Sequence, residues 1–147
     1  MPWPDLIAAV VCFGFLAIAL WHFDMARRPQ TGLSGAVPTV DGKPLFVPSR
    51  GQTVAVGVIL LLFAGLVATT SGWVSVGLSQ RWLVGLSYGL ALGLLARSIG
   101  EFRAVGFFKS VRGTRFARLD SLVYSPVCLL LAIGVALVAF WNRAGNP

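Results

Sequence analysis

The chain has 147 residues, of which 56% are hydrophobic and 12% charged, and its mean hydropathy is +0.81. Because a soluble domain carries about 25% charged residues, this composition excludes an ordinary water-soluble protein and indicates an integral membrane protein. The net charge of +7 is explained by basic residues beside membrane spans that face anionic lipids, so it predicts no nucleic-acid partner.

Four apolar runs are long enough to cross a bilayer, which takes about 20 residues. They cover residues 6–23, 53–72, 82–100 and 121–141. Little chain remains for a separate soluble domain. We therefore predict an all-α fold in which residues 1–147 form one domain, a four-helix bundle in the membrane.

The first span begins after the segment MPWPD, which lacks the positive charge of a cleaved signal peptide. It ends in Trp21, His22, Phe23 and Asp24 rather than in small residues suited to cleavage. We expect this span to be retained. Cys12 in this span and Cys128 in the fourth are expected to act as small buried hydrophobes.

The three loops differ in composition. The first mixes proline, glycine and polar residues without a regular spacing of apolar residues, which predicts a turn-rich loop along the membrane surface. The second, residues 73–81, is short enough to make the second and third spans an antiparallel hairpin. The third contains FFKSVRGTRFARL, whose aromatic and basic side chains suit the lipid headgroup layer.

Small residues recur at spacings of three or four along the third span, and they are Gly85, Gly89, Gly93, Ala96 and Gly100. Such a face lets helix backbones approach closely in lipid. It could pack inside the bundle, or it could form a homodimer seam or a groove for a partner helix. We favour internal packing, in which case leucine at Gly89 or Gly93 should lower the yield of folded protein.

The same span carries Arg97 and Glu101, whose spacing of four makes them neighbours on a helix. An arginine at mid-bilayer costs about 2.5 to 3.5 kcal/mol unless it is paired or reaches the interface. Arg97 lies about 5 Å from the predicted helix end at about 1.5 Å per residue, so it can reach water. A structural role and a functional role for the pair both remain open.

The fourth span could begin in two places. A start at Pro126 leaves 16 residues, about 24 Å of helix, which is short for a bilayer. A start at Asp120 gives a full span, with the aspartate as helix cap and Pro126 as an interior kink. We predict the second arrangement, with Asp120 also paired to Arg97 or Arg103 on the neighbouring helix.

Lysine and arginine residues near the ends of spans predict orientation, because positive loops stay in the cytoplasm. The first and third loops hold nine of them, whereas the second loop and the two termini hold two. Both termini are therefore predicted to face outward. Under this topology, a polar cluster gathers at the cytoplasmic ends of the first, third and fourth spans: His22, Asp24, Arg97, Glu101, Arg103, Asp120 and Tyr124.

The segment RSIGEFRAVGFFKSVRGTRFARLDSLVYSPVCLLLA, residues 97–132, resembles the signature of small bacterial membrane proteins known as domain of unknown function 3995. The matching positions are Arg97, Gly100, Glu101, Arg103, Gly106, Phe107, Lys109, Phe116, Ala117, Asp120, Tyr124, Ser125, Pro126 and Cys128. The stretch GKPLFVPSRGQTVAVG, residues 42–57, is similar to the same family, as is His22 beside Trp21, at a different spacing. The resemblance implies a multi-pass protein of the bacterial cytoplasmic (inner) membrane, and it implies no activity.

Two functions are compatible with these observations. The chain lacks HExxH, GxSxG and GxxxxGK[ST] motifs, and its single histidine predicts neither a metal site nor a cofactor. We therefore favour a noncatalytic helper or accessory subunit of a larger membrane assembly, in contact with anionic inner-leaflet lipids and with a membrane-protein partner or a second copy. The alternative is an inner-leaflet enzyme or carrier for a headgroup, quinone or other amphiphile, with Glu101 or Asp120 carrying a proton and arginines clamping an anion.

The orientation can be tested with reporter fusions. A phosphatase reporter fused after Pro147 should be active, because the charge count places the C-terminus outside the cytoplasm. A reporter that is active only in the cytoplasm when fused there would show that the orientation is wrong.

Overall fold

The computed structural model describes residues 3–28, 35–40 and 43–143. Its elements, in chain order, are α1 (Trp3–Arg27), β1 (Thr39–Val40), β2 (Lys43–Pro44), α2 (Arg50–Thr70), α3 (Gln80–Ile99), α4 (Arg115–Leu119), a π-helical turn (Asp120–Tyr124) and α5 (Ser125–Asn142). The last three form one continuous helical segment of 28 residues. The fold is an all-α four-helix bundle with a small hairpin in the first loop.

Among the described residues, four helices are long and apolar enough to cross a membrane, and at most 39% of the apolar stretch of each is buried inside the bundle. Exposed apolar side chains on this scale would favour aggregation in water but suit a lipid environment. The chain is thus a multi-pass membrane protein. The four predicted spans correspond to α1, α2, α3 and the segment from α4 to α5.

The helix ends depend on local capping that the apolar runs do not reveal. α2 begins three residues before the predicted start because Ser49 and Gln52 form a reciprocal capping box, with bonds of 2.8 and 3.2 Å. α3 ends at Ile99 because Gly100 adopts a φ of 88°, which stops the helix.

The bundle is built from two principal helix pairs, α1 with α2 and α3 with α5, which meet mainly through α1 and α5. Their shared core is apolar and includes Val11, Phe15, Val67, Leu131 and Val135. α2 and α3 are joined beside the second loop by the buried hydroxyls of Thr70 and Ser87, 2.9 Å apart.

Close helix contacts occur at glycines of α2 and α5. A Cβ at Gly57 would lie 2.6 Å from the ring of Phe23 on α1, and one at Gly134 would collide with Val11. The absence of a side chain at these two positions therefore lets α2 and α5 approach α1. Neither glycine belongs to a GxxxG pattern of the kind that predicts such a contact.

The glycines of α3 do not pack inside the bundle, so our favoured prediction for them is wrong. A Cβ at Gly85, Gly89 or Gly93 would have no heavy atom of the described residues within 4 Å. Ala96 is exposed as well. The reason is that α3 packs into the bundle through another face, whose buried residues include Ser87, Ala91 and Ser98.

The fourth span begins earlier than predicted. Its first helical residue is Arg115, and Thr114 is the cap, accepting a bond of 3.0 Å from the amide of Ala117. Asp120 therefore lies inside the helical segment and does not cap it, which corrects the predicted role. Pro126 is interior, as expected, and lies two residues after the π-helical turn.

Substitution of glycine on α2 should show which face is packed. Gly57→Leu should lower the free energy of unfolding by about 1 to 3 kcal/mol because the new side chain overlaps the Phe23 ring. The matched control is Gly65→Leu on the same helix, where a Cβ meets no described atom within 4 Å. Equal unfolding curves for both variants in detergent would contradict the described α1–α2 contact.

Candidate functional site

The segment between α3 and α4, residues 100–113, folds back on the end of α3, and we call it the return loop. The amide of Phe107 donates to the Ser98 carbonyl at 2.9 Å, and that of Val111 donates to the Arg103 carbonyl at 2.9 Å. This reversal brings the amide of Gly106 and the side chain of Lys109 against the start of the fourth span.

Two glycines make the reversal possible. Gly100 and Gly106 have φ values of 88° and 92°, in the region that favours glycine. Their backbones also lie against each other, so that a Cβ on Gly100 would collide with Val105 and one on Gly106 would collide with Ile99. A side chain at either position would push the return loop away from the helix end.

The centre of the site is the carboxylate of Asp120, which has no exposed surface. Its Oδ1 accepts a bond of 3.0 Å from Arg97 Nη2. Its Oδ2 accepts bonds from the Gly106 amide at 2.7 Å and from Lys109 Nζ at 3.0 Å. Three donors from α3 and the return loop therefore stabilise one buried negative charge.

Lys109 is nearly as buried as Asp120, with 3% of its side chain exposed. Its Nζ also donates to the Gly106 carbonyl at 2.8 Å and to Ser121 Oγ at 2.6 Å. An ammonium group has three donors, and all three are used by acceptors of the protein. Lys109 is thus bound in place between the return loop and the π-helical turn.

Arg97 completes the cluster from α3 and is 37% exposed. Its Nη1 is buried and has no hydrogen-bond partner among the described residues. With Lys109, it gives the cluster two positive charges for one carboxylate. The cluster therefore keeps a net charge of one positive unit at the end of the bundle.

The π-helical turn adapts the helix to Pro126. The amide of Ser125 donates to the carbonyl of Asp120, five residues earlier, just before proline removes the next donor. The turn also connects two other elements. Tyr124 donates to the Gly35 carbonyl in the first loop at 3.0 Å, and Ser98 of α3 donates to the Ser125 carbonyl at 3.1 Å.

The structure brings together only some of the predicted polar residues. The predicted pair between Asp120 and Arg97 is present, and Tyr124 lies on the next turn. The prediction that Arg97 and Glu101 are neighbours on one helix is wrong, because α3 ends at Ile99 and Gly100 turns the chain away. Glu101 is exposed and accepts a bond of 3.1 Å from the Ala104 amide.

The other predicted residues lie outside the cluster. Arg103 is exposed in the return loop and forms no ion pair with the described carboxylates. His22 contacts the Ile18 carbonyl within α1 through Nδ1, at 2.8 Å. Asp24 pairs with Arg28 on the same helix. In the described ranges, no group of three His, Cys, Asp or Glu side chains is arranged to hold a metal.

Sequence reasoning missed Lys109 and the Gly106 amide as partners of Asp120. Lys109 was counted as one of several interfacial cations, whose side chains normally reach water. The available signal in the sequence is its position three residues after a glycine and directly after two phenylalanines. The arrangement can hold α3, the return loop and the fourth span together.

The energetic role of the cluster can be measured by Asp120→Asn. This change keeps the side chain's size but leaves the buried Lys109 ammonium without its counterion, so we expect a loss of about 3 to 5 kcal/mol in unfolding free energy. Asp24→Asn is the matched control, since Asp24 and Arg28 are 49% and 68% exposed and their pair should contribute about 0 to 1 kcal/mol. Similar small losses for both variants would contradict a tethering role for Asp120.

Comparison with known proteins identifies the family without assigning an activity. No curated protein and no solved structure matches the chain. A family model described as "Protein of unknown function (DUF3995)" matches residues 3–135, which include all four spans up to the middle of α5 and the whole Asp120 cluster. The chain therefore belongs to the DUF3995 family of proteins of unknown function.

Proposed function

We propose that this protein is a noncatalytic accessory subunit or helper in the bacterial cytoplasmic membrane, bound to a transmembrane helix of a partner protein. The observation that carries the proposal is the unoccupied small-residue face of α3. We define this glycine face as Gly85, Gly89, Gly93 and Ala96. No described residue of the chain packs against this face, although a small-residue face is suited to close helix packing.

The surroundings of the glycine face support a helical partner. Successive helix residues are rotated by about 100°, which places Trp82 in line with the glycines and Leu86 and Leu92 on either side. These three side chains are 70%, 53% and 66% exposed. They form apolar edges on both sides of the glycine face, which leaves a shallow groove between them. A helix packed in this groove would make more complete van der Waals contacts than lipid chains can.

The polar cluster supports a structural role in preference to the catalytic alternative. A proton carrier needs access to the group that it serves. Both oxygens of Asp120 accept bonds from protein donors, and the side chain is fully buried. Glu101, the other candidate proton carrier, lies outside the cluster at an exposed position of the return loop. These contacts favour a rigid scaffold.

The proposed location and orientation rest on charge. The first and third loops carry most of the basic residues, and anionic lipids attract each such residue by about 1 kcal/mol. The hydrogen bond from Tyr124 to Gly35 is compatible with this, because it joins the first loop to the end of the bundle that carries the return loop. We propose that both basic loops face the cytoplasm.

Photo-crosslinking in cells tests the glycine face directly. A photoreactive amino acid at Leu92 should give a discrete adduct with another membrane protein, whereas one at Leu62 on α2 should not. The two positions are matched, since each side chain is 66% exposed on a spanning helix. Gly89→Leu should abolish the Leu92 adduct by filling the groove while leaving the melting temperature of the purified chain unchanged.

The control variant is Gly65→Leu, which adds the same side chain to an open position on α2 and should leave the adduct intact. An adduct that consists of two copies of this chain would replace the accessory role with a homodimer. Equal adducts from Leu62 and Leu92, or an adduct that survives Gly89→Leu, would contradict the proposal.

A further inference from the structure

A cavity of about 420 Å³ lies beside the Asp120 cluster, between the return loop and the start of the fourth span. We propose that it binds the phosphate group of an anionic membrane lipid. Its polar lining consists of Lys109, Arg112, Arg118 and Ser121, and its apolar lining includes Phe107 and Ala117. This inference does not depend on the proposed role of the glycine face.

The positive charge of the cavity is not neutralised by the described part of the protein. Arg112 and Arg118 are exposed and form no ion pair with a described carboxylate. The nearby Asp120 is already shared by two other cations. The cavity therefore has two free guanidinium groups, which bind phosphate oxygens through paired, charge-assisted hydrogen bonds.

The side chains of Lys109 and Ser121 favour the binding of an anion in the cavity. The three donors of Lys109 Nζ are used internally, so Lys109 contributes its charge and not a hydrogen bond to the ligand. Ser121 Oγ accepts from that ammonium, which leaves the hydroxyl hydrogen of Ser121 available to an acceptor outside. A phosphate oxygen can accept this bond, whereas a cationic ligand would be repelled.

The position of the cavity favours a lipid over a soluble phosphate. It lies at the start of a membrane-spanning segment, and Phe108 and Leu122, which are adjacent in sequence to its lining residues, expose 64% and 71% of their surface. Phe107, in its wall, is 38% exposed. A ligand with a charged headgroup and acyl chains would place its phosphate against the arginines and its chains against these apolar side chains.

Native mass spectrometry of the full chain in detergent tests the proposal. Phosphatidylglycerol should bind as one tightly retained molecule per chain, at least tenfold more tightly than phosphatidylcholine with the same acyl chains. Arg112→Gln combined with Arg118→Gln should weaken phosphatidylglycerol binding by about a hundredfold, since two charge-assisted contacts are lost and each contributes about a factor of ten. Both arginines are exposed, so the melting temperature should stay near that of the wild type.

The control combines Arg27→Gln with Arg103→Gln. It removes the same charge from two exposed positions outside the cavity, one at the end of α1 and one in the return loop, and should change binding by less than about threefold. Equal losses in the two double variants would show a diffuse surface attraction and overturn the site. Retention of phosphatidylcholine as strong as that of phosphatidylglycerol would overturn it too, and so would displacement of the lipid by millimolar inorganic phosphate, which would identify a site for soluble anions.

Discussion

The buried charge on Asp120 determines how the chain is arranged at the end of the bundle that carries the return loop. A carboxylate without exposed surface is tolerated only when protein groups replace the water that it has lost. The donors come from two elements, since α3 contributes Arg97 and the return loop contributes Lys109 and the Gly106 amide. The path of the chain between the third and fourth spans follows from this requirement.

The same requirement explains two unusual backbone features. The return loop reaches Asp120 only because Gly100 and Gly106 allow two backbones to touch with positive φ. The π-helical turn begins at Asp120 itself and precedes Pro126, which has no backbone N–H to donate to the helix. These irregular backbone features thus lie around the buried charge, while the opposite end of the bundle is joined by ordinary polar contacts such as that of Gln80 with the Thr70 carbonyl.

The four spans could be predicted from the sequence because lipid imposes a length and a composition that any spanning helix must satisfy. The pair between Asp120 and Arg97 could also be predicted, since a short connection brings the end of one helix beside the start of the next. The start of the fourth span could not, because Thr114 caps a helix whose first turns are basic and amphipathic rather than apolar. The partners Lys109 and Gly106 depend on a loop reversal that spacing does not reveal. The face of α3 that packs on α5 was also hidden, since hydrophobicity is similar all around a lipid-exposed helix.

The order of residues in the Asp120 cluster matters during biosynthesis. Arg97, Gly106 and Lys109 all precede Asp120, and the whole cluster spans only 24 residues. When the carboxylate emerges from the ribosome, each of its donors has already been made and needs to close only a short loop, at a small entropic cost. The fourth span can therefore enter the bilayer with its acidic residue already neutralised. The third and fourth spans could then be inserted together as a helical hairpin, and the charged fourth span would not depend on a counterion that is made later.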